Sequence, residues 1–542
     1  MRDPNDEMML AAALDGNADY LVTGDPRLGG LSIVTVVEFL AQIEVTDALA
    51  RRQHAGAPRR ASRSRRSHRL DSDAAVNARL PISLDALVLT ALVLTRARVD
   101  TFANAIVPRP AELVRQIPVV GALLPDRAFA LLVDWLADPL SQLVLATTFG
   151  LLGLYLVVDV LETWPGARVR WTYPAKVTLL VAICLVSVVA NTGMVMALRQ
   201  LSTPAQFAHD GGVLMSDLAV RWLLEGTNVY QQDWRTTWVV EAYPSGPGLS
   251  HYPYLPFAFV PAVPLYLLTT TLWGWYDHRL LYVIAYLAML AATPWIAPTR
   301  SGRLALAAIF ALNPILANDL IYGYNDILLL ALVALALAAY RTGRVTLGGV
   351  AIGLATATKG TIWPLLPFLA LYLWRGQRLT LRLRLARPLL PIALSALLFV
   401  LPFALWDARA LFEDTVLYNA GAPLPDGLPI KGWGAAAYVV ALGGVDDLFA
   451  PFPFGLLALL VAGPLLVALL IRQWKRNTLA AAFAHFGVFS IVFLYFSRTM
   501  NPNYLGFALA MLAIGYFAAE EDAPSLSQGA AGQEPTAAGA AP

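Results

Sequence analysis

Long apolar runs recur along most of this chain and are rarely interrupted by charge; Leu329 to Ala339, for example, is apolar throughout. Soluble domains carry about 25% charged residues to cover their surface. Of these 542 residues 14% are charged and 58% hydrophobic, so lipid is the solvent for most of the chain. Strands that cross a bilayer alternate apolar and polar positions over roughly ten residues, and these runs do not alternate. Backbone in hydrocarbon must satisfy its own hydrogen bonds. The expected fold is therefore an all-α integral membrane bundle.

Twelve runs between Ser141 and Phe517, with Leu84 to Thr95 as a weaker candidate, predict about 11–13 transmembrane helices. Several are short for a hydrocarbon layer of about 30 Å at 1.5 Å per residue. Short helices are tolerated where protein lines them. Trp374 to Pro388 carries five arginines, and Arg472 to Arg476 two arginines and a lysine. Both stretches are expected to be cytoplasmic by the positive-inside rule. The long loops Gln200 to Pro253 and Asp407 to Ala450 then fall on the outer face. The run Tyr254 to Trp275 breaks the alternation, and Pro256, Pro261 and Pro264 suggest a broken double crossing.

The ends differ from the bundle. Residues 1–50 read as helix, strand Tyr20 to Thr23, loop, strand Ser32 to Val37 and a short helix. Residues 1–44 resemble the C-terminal half of a PIN-domain nuclease, with Asp6 and Asp25 at the positions of two of that family's acids. The other acids of that metal site have no counterpart here, so an inactive remnant is expected. Residues 51–70 hold eight arginines and no acid and read as a hydrated basic linker (51–80) beside anionic lipid, on the cytoplasmic side; RNA binding is the rival reading. Residues 81–174 read as extra membrane segments, 175–518 as the core and 519–542 as a disordered, cytoplasmic tail. Net charge is +2, so nothing points to a nucleic-acid partner overall. The lone Cys184 allows no intrachain disulfide. No signal-peptide pattern follows Met1, so insertion is expected through the internal spans.

The chemistry is expected in the outer loops. The stretch from His209 to Tyr230, HDGGVLMSDLAVRWLLEGTNVY, suggests a helix lying on the membrane surface, with Ser216 as N-cap and Gly226 as its end. Asp210 and Asp217 flank its first turn, and either carboxylate could take a proton from a hydroxyl. His251, Tyr252 and Tyr254 lie in HYPYLPF, and Asp319, Tyr324, Asn325 and Asp326 in NDLIYGYND at a helix mouth. Lys359 interrupts an apolar stretch, and an ionisable group there is a functional candidate. Arg498 is a second outer cation. No His, Asp or Glu cluster has metal-ligand spacing, so no metal and no cofactor are expected.

In order along the chain stand Asp217 with GTNVY, Tyr252 to Pro256, GYND at Gly323 to Asp326, and GGVAIGLATATK ending at Lys359. From about Val177 to Phe517 this pattern resembles the membrane GT-C glycosyltransferases, nearest the polyprenyl-phosphate-mannose-dependent α-mannosyltransferases. Departures are Tyr324 in place of the usual Gln, Gly360 in place of proline, and Asn501-Pro502 where relatives carry histidine-proline. The resemblance implies an inverting transfer, mannose favoured, from a polyprenyl-phosphate donor to a glycan or glycolipid acceptor at the outer face of the cell membrane. Asp217 or Asp210 would be the general base, and Lys359 and Arg498 would receive the phosphate. His209, Tyr230, His251, Tyr252, Tyr254, Asp319, Tyr324, Asn325 and Asp326 would contact substrate. The alternative is a polytopic transporter or lipid-linked glycan flippase.

Overall fold

The computed structural model describes residues 21–22, 33–34, 82–106, 111–135, 139–164, 170–242, 248–375 and 381–519. Its contacts divide the chain into two units, 1–76 and 77–542. In the first, β1 (Leu21–Val22) pairs in parallel with β2 (Ile33–Val34), Leu21 opposite Ile33. Both lie inside the strands read from sequence; Asp6, Asp25, the basic run and the tail from residue 520 lie outside the described residues.

The second unit is helical. Its principal elements are α1 (Leu84–Ile106), α2 (Pro139–Thr163), α3 (Thr172–Leu201), α4 (Met215–Leu224), α5 (Val263–Trp273), α6 (Arg279–Ile296), α7 (Arg300–Leu312), α8 (Pro314–Tyr322), α9 (Asp326–Arg341), α10 (Val345–Thr356), α11 (Leu366–Arg375), α12 (Leu381–Phe412), α13 (Phe454–Lys475), α14 (Leu479–Tyr495) and α15 (Pro502–Ala518). Among the described residues six segments are long and apolar enough to cross a bilayer. The pair α7–α8 makes a seventh, bent by 48°. Pro314 causes the bend: it holds Asn313 in an extended conformation, and the Asn313 side chain then caps α8 by accepting the Ile315 N–H at 3.0 Å.

The central helix is α9, whose residues Ile327 to Ala334 are all buried. It packs on α6 and α10, and α10 packs in turn on α12. Sixteen residues rise only about 24 Å, short for a bilayer, but protein rather than lipid surrounds this helix.

The segment Pro256–Trp273 has the length and composition of a span, yet it does not cross. The Leu255 and Phe257 N–H groups donate to the carbonyls of Thr358 and Ala357, and the Ala258 carbonyl accepts from His278 Nε2 at 3.0 Å. The chain thus returns at residue 278 to the place it left at residue 258. This hairpin replaces the double crossing expected from the prolines. From α6 onward the chain alternates between two faces. On one, Arg341 donates to the Ala518 carbonyl, Asn477 to that of Tyr372, and Arg375 meets Trp474. On the other lie the long loops, where β3 (Lys431–Gly432) pairs in parallel with β4 (Thr499–Met500).

With Cys184 replaced by alanine, Arg235→Cys before the hairpin and Trp275→Cys after it should react with a membrane-impermeant maleimide from the same side. Arg476→Cys should react only from the other. Labelling of Arg235→Cys and Trp275→Cys from opposite sides would mean that Pro256–Trp273 is a crossing.

Candidate active site

The loop face carries two buried charge clusters joined by one short helical rod. The rod begins as a π turn, Asp210–Leu214, and continues as α4. Residues Gly211 to Val220 are all buried, so this part of the rod is enclosed by protein instead of lying on a membrane surface, while Arg221, Leu224 and Glu225 at its end are exposed. Ser216 is not its N-cap: it sits inside the helix and donates to the Gly211 carbonyl, 3.0 Å from the Tyr252 hydroxyl. Gly226 does end the rod, in the left-handed region at φ 73°. Asn228 then caps a short turn through the Tyr230 N–H, and the Tyr230 hydroxyl donates to the Tyr254 carbonyl at 2.9 Å.

At the start of the rod the backbone meets the mouth of α9. The His209 N–H donates to the Tyr322 carbonyl at 2.7 Å, and the His209 and Tyr324 rings lie 3.7 Å apart. A Cβ on Gly212 would collide with the Gly323 carbonyl, and one on Gly323 with Val213. The two glycines are what allow this approach. Gly211 packs on the Tyr254 ring. Asp210 therefore sits, by backbone, between two residues that touch this wall; its side chain lies outside the described residues.

Behind the wall is the first cluster. Lys359 Nζ donates to Asp326 at 2.9 and 3.1 Å and to Asn325 Oδ1 at 3.2 Å, and lies 5.6 and 5.2 Å from the ring centres of Tyr254 and Tyr504. Asn503 donates to Asp326 from the far end of the chain. Among the described residues three buried polar atoms here have no hydrogen-bond partner: Asp319 Oδ2, Asn325 Nδ2 and Asn503 Oδ1. Buried polar groups are overwhelmingly paired, so three orphans beside one ion pair mark a place built to receive polar atoms from elsewhere.

The second cluster lies seven residues further along the rod. Arg199 Nη1 bonds Asp217 Oδ2 at 2.7 Å and Asp277 Oδ2 at 3.0 Å, and Arg279 grips Asp277 with Nε and Nη2 at 2.9 and 2.7 Å. Asp217 Oδ1 accepts the His278 N–H at 2.9 Å. Two acids and two guanidiniums balance. Burial pushes the Asp217 carboxyl up, against the pull of Arg199. For Asp277 burial acts in the same sense, but the two guanidiniums outweigh it and hold the acid well below the usual carboxylate range. Burial depresses the His278 imidazole to about 4. His278 is thus neutral at pH 7: Nε2 donates to the Ala258 carbonyl, and Nδ1 accepts from the Tyr276 hydroxyl at 3.0 Å. An open cavity of about 370 Å³ borders this cluster, lined by Arg199, Asp217, Arg221, Trp238, Trp275 and Tyr276 among others.

The remaining expected residues divide. His251 faces two acceptors, Asp414 Oδ1 at 2.7 Å and the Pro425 carbonyl at 2.9 Å, so both ring nitrogens must donate and the ring is an imidazolium. Burial opposes its charge, but the Asp414 carboxylate and the Pro425 carbonyl outweigh burial and raise its pKa. Asp414 also accepts the Tyr252 N–H at 2.8 Å, fixing the Tyr252 and Tyr254 turn. Arg498 donates to the carbonyls of Leu428, Ala450 and Leu448 at 2.6, 3.0 and 3.1 Å and ties down the loop. Sequence reading missed Arg199, Asp277, Arg279, Asp414, Asn503 and Tyr504. The charged triplet Asp277-His278-Arg279 between two apolar runs was the available signal for the quartet; Asp414 and Asn503 had none. Among the described residues no group of three His, Cys, Asp or Glu is placed to hold a metal.

Residues 251–518 match the family model described as glycosyltransferase family 87. The match supports a membrane glycosyltransferase. It takes in Asp326, Lys359 and Asn503 and leaves the rod outside. No curated protein and no solved structure matches the chain.

The quartet predicts an asymmetry between its acids. Asp277 bonds both guanidiniums, so Asp277→Asn should destabilise the protein by roughly 3–5 kcal/mol. Asp217→Asn keeps an oxygen for the His278 N–H and should cost about 1–3 kcal/mol; thermal unfolding in detergent checks the order. The His251 imidazolium contributes stability that is complete below its unfolded value of about 6.5 and is lost as pH rises through its raised folded value. The stability gap between wild type and His251→Gln should therefore shrink as pH rises above about 6.5. A gap that widens over that range would contradict the assigned imidazolium.

Proposed function

We propose that the chain transfers a sugar, mannose favoured, from a polyprenyl-phosphate donor to a glycan or lipid acceptor, with Asp210 as general base and Lys359 as the cation at the phosphate. The observation that carries this reading is the convergence of two things at one wall. The residues flanking Asp210 pack on Tyr254 and Tyr324, and Lys359 stands behind the same wall with three orphaned polar atoms around it. Asp217 is engaged by Arg199 and the His278 N–H, which favours Asp210 of the two acids. The opposite face carries Arg341, Arg375, Arg472 and Arg476, which by the positive-inside rule supports a reaction at the outer face.

The step balances as a single displacement. The acceptor hydroxyl gives its proton to the Asp210 carboxylate while its oxygen forms a bond to the anomeric carbon. The bond from that carbon to the phosphate oxygen breaks from the opposite side, and polyprenyl phosphate leaves with the electron pair. The configuration at the anomeric carbon inverts. A phosphate monoester is a good leaving group, so charge stabilisation by Lys359 serves it and no strong general acid is needed. Tyr254 and Tyr324 form the wall against which the sugar is held, and the buried Tyr252 supports it from behind.

General-base help contributes about 10²–10⁴-fold. With purified protein, a polyprenyl-phosphate-mannose donor and candidate glycan acceptors, Asp210→Asn should lose turnover by that range and Lys359→Met by a similar amount. Asp217→Asn should retain turnover within about tenfold of wild type. Full transfer by Asp210→Asn would remove the mechanism, and donor movement across the membrane without bond formation would favour a transporter.

A further inference from the structure

The cavity beside Asp217 is not used by the transfer step. Arg199 is nearly buried at its wall, 4% exposed. Its Nε donates to the Pro204 carbonyl at 2.8 Å and its Nη1 serves Asp217 and Asp277. Among the described residues nothing accepts from Nη2. A buried guanidinium with one amino group left over, on a cavity wall, is a donor waiting for an oxygen. The Asp217 carboxylate beside it holds one N–H bond and one ion pair, and its oxygens have lone pairs to spare for a hydroxyl donor.

The charges on this wall cancel. Arg199 is matched by Asp217, and Arg221 at the rim by Glu225 at 2.8 Å. No net field draws in an anion. The rest of the lining mixes aromatic and neutral polar groups: Trp238, whose ring lies 5.7 Å from the Arg199 guanidinium carbon, Trp275 and Tyr276, with Gln200, Ser202 and Thr270. Aromatic faces together with a paired donor and acceptor suit a molecule with an apolar ring face and hydroxyls on its edge. We propose that this cavity is a carbohydrate subsite for a neutral pyranose ring of the acceptor glycan, separate from the transfer centre. The proposal rests on the glycosyl-transfer reading above. The rod gives the geometry: Asp210 and Asp217 are seven residues apart on one rigid element, roughly 10 Å along its axis. An acceptor seated by one sugar at Asp217 would present a neighbouring sugar's hydroxyl toward Asp210. The subsite would thereby select acceptors of at least two sugars.

The test is binding rather than turnover. Full-length protein in nanodiscs is mixed with the methyl α- and β-pyranosides of glucose, mannose and galactose, and saturation transfer from protein to sugar ring protons is measured by NMR. At least one glycoside should receive saturation in wild type and equally in Asp210→Asn. The affinity should fall about tenfold in Trp275→Ala and in Arg199→Lys, which keeps the charge and loses the spare amino group. Trp275→Ala touches no buried charge, so it tests the site even where Arg199→Lys fails to fold. Saturation of none of the six glycosides overturns the proposal, as does binding unchanged in Trp275→Ala. Displacement of the sugar by inorganic phosphate would overturn it too, in favour of an anion site. Full turnover by Asp210→Asn would refute the base assignment while leaving sugar binding at Asp217 standing, so the two failures read differently.

Discussion

A charge enclosed by protein and lipid must find a partner within hydrogen-bonding reach, and the loop face of this protein is organised by that demand. Arg199 arrives at the end of α3, Asp217 on the rod, and Asp277 with Arg279 at the start of α6. Their four charges cancel at distances of 2.7 to 3.0 Å. Breaking such a set leaves an uncompensated buried charge, which costs far more than the set itself contributes. The quartet therefore acts as a registration device: it fixes where α3, α6 and the rod stand relative to one another, and the hairpin between residues 258 and 278 closes because His278 is held there from both sides.

The same demand recurs around the wall, each time joining segments far apart in the chain. Lys359 meets Asp326 across 33 positions, His251 meets Asp414 across 163, and Asn503 reaches Asp326 across 177. What differs is completeness. The quartet satisfies its carboxylates, and His251 donates from both ring nitrogens. The Lys359 cluster leaves Asp319, Asn325 and Asn503 with unpaired atoms. A satisfied network rigidifies a fold, whereas an unsatisfied one marks where the fold expects a ligand. The rod binds the two clusters together, with its glycine end against the Lys359 cluster and Asp217 in the quartet, whose carboxylates are paired while Arg199 keeps one amino group for the cavity.

Two of the three π segments in the described residues carry an acid of this face, Asp210 at 210–214 and Asp414 at 413–417. Such turns are uncommon and cluster at functional sites. One follows His209, whose N–H donates to the Tyr322 carbonyl, and the other holds Asp414, which accepts the Tyr252 N–H.

Sequence by itself determined the helical membrane bundle, the arginine-bearing stretches and the helix end at Gly226, because each follows from local properties: hydropathy over one segment, charge beside a span, or a backbone angle only glycine adopts easily. The sequence also put His209, Tyr254, Asn325, Asp326 and Lys359 on one short roster, since polar groups in apolar surroundings are conspicuous. It did not show that Asp217 would be held by Arg199 and the His278 N–H. Nor did it show that Arg498 would spend its guanidinium on three carbonyls, or that Pro256–Trp273 would turn back. Those outcomes were decided only in the tertiary structure. The partner that neutralises a buried charge is chosen by which helices pack together, and no spacing within a single segment encodes that choice.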